Sequence, residues 1–173
     1  MEALVFVPRK DFKDESFTTV VNMLKKWDIK PIIGSYNTST CYGYHGLTIK
    51  PDVDITYANP SQYSLLVLID GPGIEEEKLY DSRQIADFIR LFNDLNRPIL
   101  AIDSSVGLLA KANIIKDQKI ANIDNDEIKK TIKLFRGYIT ENSIEESKNI
   151  YTVKNWKEVS NAMDKILKKI NVK

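Results

Sequence analysis

The sequence predicts an α/β fold: a three-layer sandwich with a mostly parallel central sheet and helices on both faces, within one domain over residues 1–173. Three observations predict it. Unbroken apolar runs at Ala3–Pro8, Ser64–Ile69 and Ile99–Ile102 have the character of strands covered on both faces. Between them apolar residues recur at helical spacing, and strands alternating with helices are joined by right-handed crossovers into a parallel sheet. The length of 173 residues suits one substantial core and is short for two ordinary domains.

The elements follow in order. After the first strand, Phe17, Val20, Val21, Leu24 and Trp27 form one helical stripe, with Asp14 or Ser16 as candidate cap. Lys30–Gly34 reads as a second strand, and Leu47–Ile55 alternates like a short exposed hairpin or sheet edge. Ser64–Ile69 runs into the turn Asp70-Gly71-Pro72-Gly73, and the acidic run Glu75–Lys78 reads as a solvated helix start. Ile85, Phe88, Ile89, Phe92 and Leu95 make the next stripe, stopped before Pro98. Ile99–Ile102 leads through Asp103, Ser104 and Ser105 into a helix carrying Leu108, Leu109 and Ala112. Lys119–Ile123 reads as a short strand, and Ile128, Ile132 and Phe135 as a helix face ended by Gly137. Ile150–Val153 is the last strand, and Val159 to Ile170 a closing amphipathic helix.

Basic and acidic residues nearly cancel, 25 against 24, which argues against nucleic acid or an anionic membrane as partner. No run approaches a membrane span, and the first apolar stretch reads as a strand, not a signal peptide. The single cysteine, Cys41, excludes an internal disulfide and a cysteine-cluster zinc site. A cytoplasmic protein is the expectation. Gly71-Pro72-Gly73 lacks the spacing of a nucleotide-binding loop. His45, the only histidine, reads as structural, because no G-x-S-x-G elbow exists for it to serve. Tyr36, Tyr42, Tyr44 and Tyr57 line a pocket, form an oligomer contact, or cover a sheet edge.

Several stretches, in this order, resemble one family. ALVFVPRKDFKDESF is similar to the opening strand and turn of ThiJ/PfpI proteins, in the class I glutamine amidotransferase-like superfamily, and HGLTIKPDVDI to their H-G-x-x-V-x-x-D stretch. YSLLVLIDGPG matches a strand that normally ends in L-P-G-G. PILAIDSSVGLLAKANIIK matches the A-I-C-H-G-P-x-L-L-A strand, elbow and helix, and RGYITE and NIYTV fall where the family has its late turn and last strand. The resemblance implies a flavodoxin-like fold and a homo-oligomer, with a dimer favoured. In active members a cysteine thiolate sits on a strained nucleophile elbow, with an acidic residue from the first turn beside it. Backbone N–H groups of the elbow and the G-G turn form an oxyanion hole. Protease-type members add a His after the Cys and a Glu beyond the G-G turn from a neighbouring subunit.

The resemblance places Asp103 at the cysteine position and Ser104 at the histidine position. Ser16 falls at the acidic position, with Glu15 or Asp14 as substitutes if the turn shifts by one. Asp70 replaces the first glycine, Gly71 is retained, and Glu75 stands at the protease-type Glu. With the catalytic cysteine absent, the expectation leans away from an enzyme: a non-catalytic member, or one of unassigned binding function, with Asp103 accepting from N–H groups at the start of the following helix. The alternative starts from LVLID and ILAID, two strands that each end in Asp. Their carboxylates, close together and near Glu15, would serve a hydrolase or lyase, with or without a divalent metal such as Mg²⁺ on Asp70 and Asp103. Retained protease, amidase or deglycase activity ranks last. Candidate binding residues are Asp70, Gly71, Glu75 and His45, with no cofactor expected otherwise.

Overall fold

A computed structural model describes residues 1–171. The main sheet has seven strands in the order β11-β12-β8-β7-β1-β3-β6. These are β11 (Ile144–Ser147), β12 (Ile150–Val153), β8 (Ile99–Ile102), β7 (Leu65–Leu68), β1 (Glu2–Phe6), β3 (Lys30–Ser35) and β6 (Val53–Asp54). Every pairing is parallel except β11 with β12. This is the mixed α/β, mostly parallel sheet that the apolar runs predict.

The period of two along each strand divides the core. Leu4, Phe6, Leu66, Leu68, Ile99 and Ala101 face α3 (Arg83–Asp94), α4 (Val106–Lys111) and α5 (Asp126–Leu134). Ala3, Val5, Leu65, Val67, Leu100 and Ile102 face α1 (Asp14–Lys26) and α6 (Val159–Asn171). Each strand thus buries both sides, which is why the runs lack polar alternation.

A small sheet, β2 (Lys10–Phe12), β4 (Cys41–Gly43) and β5 (Thr48–Ile49), covers the end of α1. Leu47–Ile55 is therefore not one hairpin: β5 pairs with β4, whereas β6 joins the edge of the main sheet against β3. The predicted cap of α1 also differs. Lys13 is the capping residue, and its side chain makes no capping hydrogen bond. Asp14 is the first helical residue, and its carboxylate accepts the N–H groups of His45 and Leu47 at 2.8 and 2.9 Å. Free donors of the His45–Gly46 turn win over the local ones.

The acidic run does start a solvated helix: exposed Glu75 and Glu76 fall in the first turn of α2 (Gly73–Glu76), which ends before the positive φ of Lys78, and α3 starts separately at Arg83. Three smaller expectations are corrected. Only Lys119–Ile120 pairs as a strand, β9, against β10 (Tyr138–Ile139). Arg136, at φ +65, makes the left-handed turn after α5. Gly137 is needed for closeness, since a Cβ there would lie 2.8 Å from Ile132 and 2.9 Å from Ile115. Leu95 falls at the end of α3 and is 38% exposed.

Candidate functional site

The strands β7, β8 and β12 all end at one cleft, the position where parallel sheets collect ligands. It has a volume of about 510 Å³ and is lined by Asp70, Gly71, Glu75, Asp103 and Ser104 among the residues expected from the sequence. Lys13, Tyr80, Asp124, Asn125, Asn155, Trp156 and Lys157 also line it.

Ser105 fixes the two central strand ends to one another. Its hydroxyl accepts the Ile102 N–H at 2.7 Å and shares its proton between the carbonyls of Leu68 at 2.8 Å and Ile102 at 2.9 Å. Asp103 follows on the elbow with φ +43, in the left-handed region. Its Oδ1 accepts the N–H of Asn125 at 3.0 Å, so the carboxylate reaches the loop before α5 and not the start of α4. Burial raises its pKa, the Asn125 N–H opposes that rise, and the nearby Asp124 carboxylate adds to it.

Asp70 is more deeply placed, only 5% exposed. Desolvation pushes its carboxyl up to about 7; the Ser16 hydroxyl pulls it down, and the charge of Asp103 pushes it further up. Neither Ser16 Oγ nor Asp70 Oδ1 has a partner in good hydrogen-bond geometry among the described residues, so the offset from Ser16 is an approach and not a formed bond. The next residue, Gly71, turns the chain at φ +144, where a Cβ would lie 2.2 Å from the Asp11 carbonyl oxygen. Its N–H donates to Ser104 Oγ at 3.2 Å, and the Tyr80 hydroxyl donates to the Ser104 carbonyl at 2.7 Å. Burial pushes the Tyr80 phenol up, so it stays a donor.

Glu15 and His45 are not brought to the cleft. They contact each other at 2.8 Å, and Lys13 approaches Glu15 at 3.7 Å. Ser16 is fully buried behind Asp70. Glu75 stands exposed at the cleft mouth. Among the described residues no group of three or more His, Cys, Asp or Glu side chains could hold a metal ion. Cys41 is fully buried in β4, outside the cleft, and its thiol is pushed up by burial.

Sequence reasoning missed Tyr80, the Asp124–Asn125 loop and Trp156. Asn155 and Trp156 follow the end of β12 after Lys154, so the rule that sites lie at strand ends could have found them. Tyr80 carries no such signal; only Gly107, where a Cβ would meet its ring at 2.6 Å, shows how closely it packs on α4.

Fold and cleft together define a flavodoxin-like α/β protein whose cleft lies at the strand-to-helix elbow after β8. The chain matches the DJ-1/PfpI family over residues 1–169 and belongs to that family. It is similar to an uncharacterized protein of Methanocaldococcus jannaschii, 27% identical over 118 residues, 68% of this chain and 57% of that protein. The chain therefore spans little more than half the length of that relative. A deglycase of Pyrococcus horikoshii is 23% identical over 67% of this chain and 69% of its own. Among solved structures, a ThiJ/PfpI domain protein from Brachyspira murdochii superposes with a TM-score of 0.91 at 19% identity, covering 98% of this chain and 96% of that one. DJ-1beta of Drosophila melanogaster gives 0.85 at 18% identity, covering 99% and 91%. No helix of the described residues is long and apolar enough to cross a membrane.

Proposed function

We propose that this DJ-1/PfpI protein acts by binding a small molecule in the elbow cleft and does not use the thiol chemistry of its family. The observation that carries the reading is the elbow itself. Asp103 occupies it, and its carboxylate is engaged by the Asn125 N–H. The one thiol of the chain, Cys41, is buried elsewhere with its pKa raised, which disfavours the reactive thiolate.

Relatives in Pyrococcus horikoshii and Pyrococcus furiosus are named deglycases, and that activity is the competing expectation. The test is turnover of a glycated or methylglyoxal-treated substrate and of a peptide panel by the wild type, Cys41→Ala and Asp103→Ala. The reading expects no rate above background in any of them. Robust turnover by the wild type, abolished in either variant, overturns it. One observation favours a second reading: the near-neutral Asp70 beside Asp103 has the form of an acid–base pair. Wild-type hydrolysis or lyase activity that persists in Cys41→Ala and is lost in Asp70→Asn would establish that reading instead.

A homodimer in the cytoplasm completes the proposal. The exposed Tyr42, Tyr44 and Tyr57 offer a surface of the composition found in protein contacts. Sedimentation equilibrium giving a monomer at all concentrations removes the dimer.

A further inference from the structure

The polar groups of the cleft are unevenly satisfied, and the pattern selects a ligand. On the donor side, the Gly71 N–H at the turn is already taken by Ser104 Oγ, and the Tyr80 hydroxyl is spent on the Ser104 carbonyl. A carboxylate or phosphate entering the cleft would have to displace these contacts. On the acceptor side the capacity is open. Asp70 lines the cleft and is 5% exposed; its Oδ1 is sealed from solvent without a partner, so its other oxygen is the one that meets the cleft. Asp103 receives one donor bond, from Asn125, although a carboxylate can accept about four.

The charges lean the same way. Asp124 is satisfied outside the floor by Lys154 at 3.4 Å and the Asn155 amide at 2.9 Å. Lys13 divides one positive charge among Glu15, Asp70 and Asp103. Glu75 at the mouth has no ion-pair partner among the described residues, and Lys157 is exposed at the rim. A buried acceptor without a donor is costly, so a ligand that supplies N–H groups gains most here.

We propose that the cleft binds a small molecule through a primary ammonium group seated between Asp70 and Asp103, with its carbon chain against Trp156. The ammonium carries three donors and one charge, where the two carboxyls have only a share in the charge of Lys13 and a single N–H donor, that of Asn125. This rests on the proposed binding function and names the ligand class for the same site. A metal ion fits less well, because no third carboxylate, His or Cys joins the pair among the described residues.

The experiment is a ¹⁵N NMR titration of the full chain at pH 8 with n-butylammonium chloride and, separately, sodium butyrate, following the Trp156 indole and the Asn125 amide. Butylammonium should shift these signals to saturation and bind at least about tenfold more tightly than butyrate. Asp70→Asn and Asp103→Asn should each weaken it by about tenfold or more. Spectral dispersion identifies folded variants, and Asp87→Asn on the outer face of α3 serves as the unaffected control. Butyrate binding equally well or better, or unchanged affinity in both cleft variants, overturns the ammonium assignment while leaving a binding cleft. No response of either signal to butylammonium also overturns it. The binding reading itself fails separately, if the wild type turns over the substrates of the preceding assay.

Discussion

Strands β7 and β8 end in nearly the same residues, LVLID and ILAID, side by side in one sheet, yet their two aspartates live in different surroundings. After β7 the chain turns at Gly71, so Asp70 keeps an ordinary backbone and sinks into the core with an unpartnered oxygen. After β8 the aspartate is itself the turn, at φ +43, and this lifts its carboxylate to a loop N–H and to water. One position sets a carboxyl near neutrality; the other holds a carboxylate by hydrogen bonding. The difference shows that burial and turn placement, not residue type, decide what these acids can do.

The comparison is most easily broken at Gly71. Gly71→Ala places a Cβ against the Asp11 carbonyl at a φ unsuited to side chains, and should cost more than about 4 kcal/mol by urea unfolding. Next comes Asp70. Its folded pKa of about 7 lies above the unfolded value of roughly 4, so the folded state keeps a proton that the unfolded state releases. Stability from this group is full below pH ~4 and is lost as pH rises through ~7, by up to about 4 kcal/mol. Asp70→Asn should therefore be more stable than wild type at pH 8 and should flatten the fall between pH 4 and 7, as read by urea melts across pH.

Ser105→Ala tests what holds the two strand ends together. Loss of its bonds to Ile102 and Leu68 should cost about 2 kcal/mol, with faster amide exchange at Ile102. The smallest effect belongs to Asp103. Asp103→Ala loses the Asn125 contact and puts alanine at a left-handed φ, for about 1–2 kcal/mol. Asp103→Asn, which tolerates that φ and keeps an acceptor, should stay within about 0.5 kcal/mol of wild type in thermal melts.

Much of the fold was legible because its strands are covered on both faces and its helices on one. Leu65–Leu68 and Ile99–Ile102 could hardly be anything else, and the stripe from Ile85 to Phe92 marks α3 without ambiguity. The small sheet was not legible: Lys10–Phe12 and Cys41–Gly43 are three residues each, too short for a period. Asp14 looked like a cap because sequence shows only local donors, and the N–H groups of His45 and Leu47 lie 31 and 33 residues away. The same limit hid the partner of Asp103, the Asn125 N–H, which the loop before α5 brings from 22 residues away. Asp70 and Asp103 were found by position at strand ends, and Gly71, Glu75 and Ser104 by the family resemblance, whereas Glu15 and His45 were drawn off to contact each other.

Two aspartates from matching strands are set apart by their surroundings, and on the proposed function this pair stands in place of a thiol. A ¹³C NMR titration of the aspartate side-chain carboxyls tests this account most directly, with Asp70→Asn and Asp103→Asn as assignments. An Asp70 midpoint near 7 that moves down in Asp103→Asn, and an Asp103 midpoint raised above the ordinary carboxyl value, are expected. An Asp70 midpoint at or below the ordinary value, or one unmoved in Asp103→Asn, would contradict it.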